Sequence, residues 1–100
     1  MLNSRQRAQL RGMANTIDTI VQIGKDGMSD AVITQVSEAL YARELIKGRV
    51  LDNSMLTPRE VCDELCRRCL AEPVQVIGTK FVIYKENHDM PREKRIKLVR

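Results

Sequence analysis

The feature that most restricts the fold is a strand signal, a glycine-bounded loop and a helix signal in direct succession. Thr19 to Ile23 is a short, mostly apolar run that predicts a strand. Ser29 then caps a helical pattern that reaches roughly Ala42, and Leu45 to Leu51 is again strand-like. Such a strand–helix–strand unit favours a right-handed crossover between two parallel strands of one sheet.

Two further helices flank this unit. Ser4 is expected to cap a first helix that runs to about Asn15. Thr57 is expected to cap a third helix that runs to about residue 71, with Pro58 at its first position. Glu60, three residues after Thr57, completes a capping box.

The last two strands are predicted over 73–77 and 81–85, joined by Gly78-Thr79, which suits a type II′ hairpin turn. The element order is therefore α-β-α-β-α-β-β. It predicts an α/β two-layer sandwich with a four-stranded mixed sheet, in which the second and third helices cover one sheet face.

Basic residues are expected on the other sheet face. Alternation along the second strand points Lys47 and Arg49 to one side and the apolar residues to the other. Arg5, Arg7 and Arg11 lie outside the apolar stripe of the first helix, and Arg7 and Arg11 are one turn apart. Taken singly, each of these charges is typical of a solvated surface.

The loop Gly24-Lys25-Asp26-Gly27 joins the first strand to the second helix. Its glycines let the backbone bend sharply and approach another surface closely. Lys25 adds a positive charge beside a helix N-terminus, which itself favours anions. Asp26 is unfavourable for phosphate and is expected to accept a hydrogen bond within the loop. The alternative interpretation is an ordinary strand-to-helix turn.

Composition argues against several classes of protein. The net charge is +4, and five of the last nine residues are basic against one acidic residue. We expect one domain over 1–100 with a polar, basic, partly ordered tail over 86–100. The longest apolar run is far below the ~20 residues of a membrane helix, and the N-terminus has no signal-peptide centre. These features predict a cytoplasmic protein with no membrane partner.

The cysteines predict a buried helix stripe. Cys62, Cys66 and Cys69 recur at i, i+4 and i+7, and the only histidine, His88, lies beyond the hairpin. This leaves no fourth zinc ligand, so no metal or other cofactor is expected. No nucleophile–base pair or nucleotide-binding P-loop is evident, and the chain is not expected to be an enzyme.

The chain resembles the CRM family (chloroplast RNA splicing and ribosome maturation) in its stand-alone bacterial, YhbY-type form. The matching segments are 7–11 with 13–14, 21–29, 39–40, 43–47, 74–78 and 82–85. The resemblance implies a fold similar to the C-terminal domain of bacterial translation initiation factor three. It also maps a KH-like G-x-x-G loop onto Gly24 to Gly27. Asn15 and Arg43 stand where the family usually has histidine, and Gly48 where it has a larger residue.

The chain is expected to have one of two functions. The first, implied by the resemblance, is RNA binding by a monomer without a cofactor, with structured precursor ribosomal RNA or a large-subunit assembly intermediate as partner. Its candidate residues are Gly24, Lys25, Asp26, Gly27, Arg7, Arg11, Lys47 and Arg49. The second is a protein–protein adaptor of ribosome assembly that uses the same loop and the basic tail to bind an acidic ribosomal or assembly-factor surface without contacting RNA.

Overall fold

The computed structural model describes residues 1–100 and has the predicted order of helices and strands. The elements are α1 (Ser4–Ala14), β1 (Thr19–Ile23), α2 (Asp30–Arg43), β2 (Leu45–Val50), α3 (Pro58–Cys69), β3 (Glu72–Ile77), β4 (Lys80–Tyr84) and a 3₁₀ turn (Arg92–Lys94). The α/β class with three helices and a four-stranded mixed sheet is confirmed. None of the three helices combines the length and apolar character needed to cross a bilayer.

The sheet has the strand order β1-β2-β4-β3. β1 and β2 are parallel, as the strand–helix–strand pattern predicts, and both other pairs are antiparallel. The β3–β4 hairpin folds back so that β4 lies between β2 and β3. This insertion brings the start of β4 beside the end of β2, and it positions the candidate site described below.

Each sheet face carries its own apolar cluster. The larger cluster has 13 buried residues and joins α2 and α3 to one face through strand residues such as Ile23, Ile46 and Phe81. The smaller cluster has seven and joins Leu10 and Ala14 of α1 to the opposite face. α2 and α3 therefore cover one face as predicted, and α1 partly covers the second.

The helix caps follow local sequence signals. Ser29 accepts a hydrogen bond from the Val32 amide, and Thr57 with Glu60 forms the predicted capping box. The cap of α1 is Asn3, one residue before the predicted Ser4. Asparagine caps as well as serine does, and Gln6 three residues later closes a capping box with Asn3.

The hairpin turn also follows its signal. Gly78 has φ +58°, a value open to glycine and unfavourable for other residues. The end of α3 differs from the prediction, because Leu70 adopts a left-handed conformation and terminates the helix at Cys69. Pro73 lies within β3, as predicted.

The C-terminal segment packs on the same side of the sheet as α1. The backbone of residues 97–99 is held by the amide side chains of Gln6 and Gln9, and Ile96 and Leu98 pack against the smaller cluster. The carboxylate of Glu44, whose side chain is fully buried, accepts hydrogen bonds from the backbone N–H groups of Asn87 and Ile96, both at 2.7 Å.

Candidate nucleic-acid interface

The second sheet face has one half covered by α1 and one open half, and the boundary between them crosses β2. Leu45 is buried in the smaller cluster, whereas Lys47 is half-buried and Arg49 is exposed. All three side chains point to the same face, because strand residues two apart share a face. α1 therefore covers the start of β2 and leaves its basic end accessible.

The strand register sets the side chains of the open half in two rows across the sheet. The outer row consists of Gln22, Arg49, Lys80 and Ile77. The inner row consists of Thr19, Lys47 and Gln75, with Val82, which is buried in the smaller cluster, between Lys47 and Gln75. Neighbouring strands are about 4.8 Å apart, so adjacent members of a row lie within contact distance of one ligand. We call this surface, the two rows together, the open sheet face. Its charged residues are all basic.

α1 borders the open sheet face with two arginines. Gln6 and Gln9 bind the C-terminal segment on one flank of the helix, which leaves Arg7 and Arg11 to the other flank. Arg7 lines a shallow cleft with Val74 and Gln75 of β3, and one of its guanidinium nitrogens donates to the carbonyl of Leu2 at 3.1 Å. Arg11 is exposed one turn further along.

The Gly24–Gly27 loop is a tight turn closed by a hydrogen bond from the Gly27 amide to the Gly24 carbonyl, at 3.1 Å. Lys25 and Asp26 occupy its two corner positions, and both are exposed. The expected hydrogen bond from the loop to the Asp26 side chain is absent. Both corner side chains therefore extend freely into solvent.

The two glycines of the loop have different structural roles. A Cβ on Gly24 would lie 3.3 Å from Oδ1 of Asn53 and 3.6 Å from Cδ1 of Leu51, so this glycine serves packing against the loop after β2. Gly27 has φ +63° and nothing within 4 Å of the position of a Cβ. Close approach of a ligand to the backbone is therefore possible at Gly27.

The loop and the outer row lie at the same end of the sheet. Gln22 belongs to the outer row, and the Gly24 turn begins two residues later. The amide of Val50 donates to the carbonyl of Thr79 at 2.8 Å, which holds the hairpin turn against the end of β2. Lys25, Arg49 and Lys80 are thereby gathered around one end of the sheet.

The basic residues of this region have no acidic partner. The ion pairs of the protein join Met1 to Glu72, Arg59 to Asp63, Arg67 to Glu64 and Arg68 to Asp30, and His88 contacts Glu86. None of them includes Arg7, Arg11, Lys25, Lys47, Arg49 or Lys80. Asp26 and Asp52, in the neighbouring loops, pair with none of these cations either. An array of unneutralised cations on one surface attracts polyanions.

The open sheet face offers no aromatic stacking platform. Phe81 and Tyr84 are buried in the core. Tyr41 is 59% exposed on α2, where its hydroxyl donates to Asp89 at 3.2 Å. The proximity of the Asp89 carboxylate raises the pKa of Tyr41. The face is therefore suited to charge and shape, not to base stacking.

The three cysteines lie apart from this surface. Cys62, Cys66 and Cys69 are buried free thiols in the larger cluster, which confirms that they form a core stripe of α3. His88 is exposed after β4, with Nε2 3.2 Å from Oε1 of Glu86. It makes no pair with a thiol.

Sequence reasoning missed Lys80, together with Gln22 and Gln75, as members of the open sheet face. The two-residue turn after Ile77 signals that Lys80 pairs with Ile77. Its place beside Arg49 depends on β4 pairing with β2, for which the sequence carries no local signal.

Comparison with known proteins gives one family. Residues 2–85 match the CRS1 / YhbY (CRM) domain. The chain is 40% identical over 89 residues to "Probable RNA-binding protein YqeI" of Bacillus subtilis, covering 89% of this chain and 93% of that protein. It is 29% identical to an "RNA-binding protein" of Haemophilus influenzae, covering 88% and 89%. The solution structure of SAV1595 from Staphylococcus aureus matches with a TM-score of 0.72 and 39% identity, covering 99% of this chain and 100% of that one.

Proposed function

Since the chain belongs to the CRS1 / YhbY (CRM) domain family, we propose that it is a non-enzymatic RNA-binding domain, spanning residues 1–100, that associates with precursor ribosomal RNA or a large-subunit assembly intermediate. The observation that carries this proposal is the set of unpaired basic side chains around the open sheet face and the Gly24–Gly27 loop. The names of the relatives in Bacillus and Haemophilus support the same class of ligand.

The proposed binding mode is electrostatic contact with the sugar–phosphate backbone. Lys25 supplies a point charge at an exposed turn, and the open space at Gly27 lets the RNA backbone approach the protein backbone. Arg7 and Arg11 contact phosphates from the α1 side, and Lys47 and Arg49 from the strands. Gly24 shapes the turn, and Asp26 is tolerated at its exposed corner.

The ligand we propose is structured RNA. A single strand without sequence preference is usually held by aromatic side chains on which bases stack, and the open sheet face has none. A rigid, positively charged surface instead favours a ligand whose phosphates are already fixed in space. A folded ribosomal RNA precursor has this property.

We also propose that the protein acts as a monomer in the cytoplasm. Four of its large exposed apolar side chains lie on separate elements, with Met13 on α1, Tyr41 on α2, Met55 before α3 and Ile77 on β3. Single exposed apolar residues of this kind are normal on a monomeric surface.

A titration of the full chain with a folded ribosomal RNA fragment at several salt concentrations tests this function. We expect log Kd to rise steeply with log salt, by about 0.7 to 0.9 for each phosphate contacted. Absence of RNA affinity at low ionic strength would contradict the proposal. That result would favour the alternative function, an adaptor that uses the same basic surface to bind an acidic protein.

A further inference from the structure

We propose that Arg49 and Lys80 together form a single phosphate-binding subsite on the open sheet face. The inference rests on the proposed RNA-binding function and goes beyond it, because Lys80 belongs to neither the Gly24–Gly27 loop nor the residues singled out by sequence. The ligand is one phosphate group of the RNA backbone, laid across β2 and β4.

The register of the sheet places the two side chains side by side. Arg49 of β2 and Lys80 of β4 are direct partners in the antiparallel ladder. Directly opposed residues on one face have Cβ atoms about 4.5–5.5 Å apart, so two long side chains can converge on one small anion. Both side chains are exposed, and neither has an acidic partner.

The backbone beneath the pair is firmly held. The Val50 amide donates to the Thr79 carbonyl at 2.8 Å, immediately beside both residues. On the other face of the sheet, the ring of Phe81 packs directly over Gly48, the residue before Arg49. The spacing of Arg49 and Lys80 is therefore set by buried neighbours and does not depend on a flexible loop.

The arrangement is unfavourable unless an anion is present. Like charges directly opposite each other destabilise a β-pair, and opposite charges stabilise it. A glutamate at either position would remove this repulsion without any bound ligand. A phosphate relieves it as well, by accepting hydrogen bonds from the guanidinium fork of Arg49 and the ammonium of Lys80.

The outer row supplies complementary neighbours. Gln22 lies beside Arg49 on β1, where its amide is an additional donor for a phosphate or a ribose oxygen. Ile77 lies beside Lys80 on β3 and is 60% exposed, so it provides an apolar contact for a sugar. The pair is thus the cationic centre of a row that is otherwise uncharged.

The test uses two variants of the full chain, Lys80→Glu and Lys80→Gln, with Lys85→Glu as the matched control. Lys85 is an exposed lysine just beyond the far end of β4, so its reversal changes the net charge equally. At about 0.15 M salt, where the Debye length is about 8 Å, we expect Lys80→Glu to weaken RNA binding by about tenfold or more while raising the melting temperature, because the introduced carboxylate would pair with Arg49. Under the same conditions we expect Lys85→Glu to leave the Kd within about twofold of the wild type.

Salt dependence decides whether the two residues share one phosphate. Lys80→Gln should weaken binding but leave the log–log slope nearly unchanged, because Arg49 still contacts the shared phosphate. The double variant Arg49→Gln/Lys80→Gln should lower the slope by about 0.7 to 0.9, since only then is that one phosphate contact removed. Loss of twice that slope would mean two separate phosphates and would overturn the shared subsite.

Failure of the subsite is distinguishable from failure of the proposed function. If the wild type binds RNA with steep salt dependence and both Lys80 variants keep the wild-type Kd at every salt concentration, the subsite is wrong and RNA binding stands. If the wild type itself binds no RNA at low salt, both are wrong.

Discussion

Gly48 lies opposite Phe81 in the β2–β4 pair, and the phenyl ring fills the space that a side chain would occupy. An ideal Cβ on Gly48 would lie 2.2 Å from Cζ and 2.6 Å from Cε1 of Phe81. The ring is fully buried in the larger cluster and cannot move aside without disturbing it. The glycine that interrupts a basic strand is therefore required by the core on the opposite face.

Gly48→Ala is expected to destabilise the protein by about 1–3 kcal/mol, because the added methyl group overpacks the core beneath Phe81. Urea denaturation measures the change. Gly12→Ala is the matched control, since Gly12 lies in α1 with nothing within 4 Å of its Cβ position. It should be stabilising by roughly 0.5–1 kcal/mol. Equal effects of the two variants would contradict the packing explanation.

Lys25→Glu is expected to weaken RNA binding while leaving the melting temperature nearly unchanged. Lys25 is exposed at a turn corner and forms no hydrogen bond or ion pair, so its removal costs the fold little. RNA titration and thermal denaturation of the same sample give the two values, with Lys85→Glu as control. A large loss of stability with full RNA binding would count against a role for Lys25 in contact with RNA.

At the scale of elements, the C-terminal segment is joined to the α2–β2 junction by one carboxylate. Glu44 follows the end of α2 with φ +65° and is fully buried. Its two oxygens accept from the backbone N–H groups of Asn87 and Ile96, and its own carbonyl accepts from Lys85 at 2.8 Å. A buried carboxylate satisfied by amides alone holds three chain segments together.

Glu44→Gln should destabilise the protein by about 1–3 kcal/mol, because the amide NH₂ replaces one acceptor and leaves a buried backbone N–H facing a donor. Denaturant titration is the measurement. Glu38→Gln removes the same charge from an exposed position of α2 and should change stability by less than about 0.5 kcal/mol. If Glu44→Gln left the free energy of unfolding unchanged, the C-terminal segment would be held by apolar packing alone.

The elements that sequence predicted well have a local signal at each boundary. Ser29, the Thr57–Glu60 capping box and Gly78 all act within a few residues, and each is found in its predicted role. Strand order has no such signal. The insertion of β4 between β2 and β3, and with it the position of Lys80, follows from pairing between distant segments. The burial of Glu44 was likewise unpredicted, because it depends on residues 87 and 96.

At the scale of the whole molecule, the two faces of the sheet differ in burial and in charge. α2 and α3 seal one face around the larger cluster, which contains the three cysteines. The other face is half core and half basic surface, with α1 at the boundary. The predicted placement of Lys47 and Arg49 on one sheet face is confirmed, because alternation along a strand is a local property.

Stability should fall as the pH rises through the range from 10 to 12. Burial raises the pKa of Tyr84 to about 12, and the carboxylates of Glu44, Glu86 and Glu72 add to the effect. The unfolded chain loses this proton near pH 10, whereas the folded protein keeps it until about pH 12. The contribution of the Tyr84 proton to the free energy of unfolding is therefore complete below pH 10 and is lost progressively between pH 10 and about pH 12. The total loss is about 1–2 kcal/mol once solvent screening is allowed for.

Denaturant titrations at pH 8, 10 and 11.5 measure this loss. Tyr84→Phe removes the hydroxyl and keeps the ring, so the variant should lose less stability than the wild type over the same range. Identical pH profiles for the two proteins would assign the loss to other groups.

The smaller cluster joins parts of the chain that are far apart in sequence. Gln6 of α1 donates to the carbonyl of Val99, a separation of 93 residues, and only seven buried residues lie between α1, the C-terminal segment and the sheet. A sub-global opening that releases α1 leaves the larger cluster intact, so amide hydrogens of α1 should exchange faster than those of α3. Arg7 and Arg11 move away from the sheet together with α1 in that opening. The apparent affinity for a polyanion is therefore reduced in proportion to the fraction of molecules in which α1 is packed on the sheet.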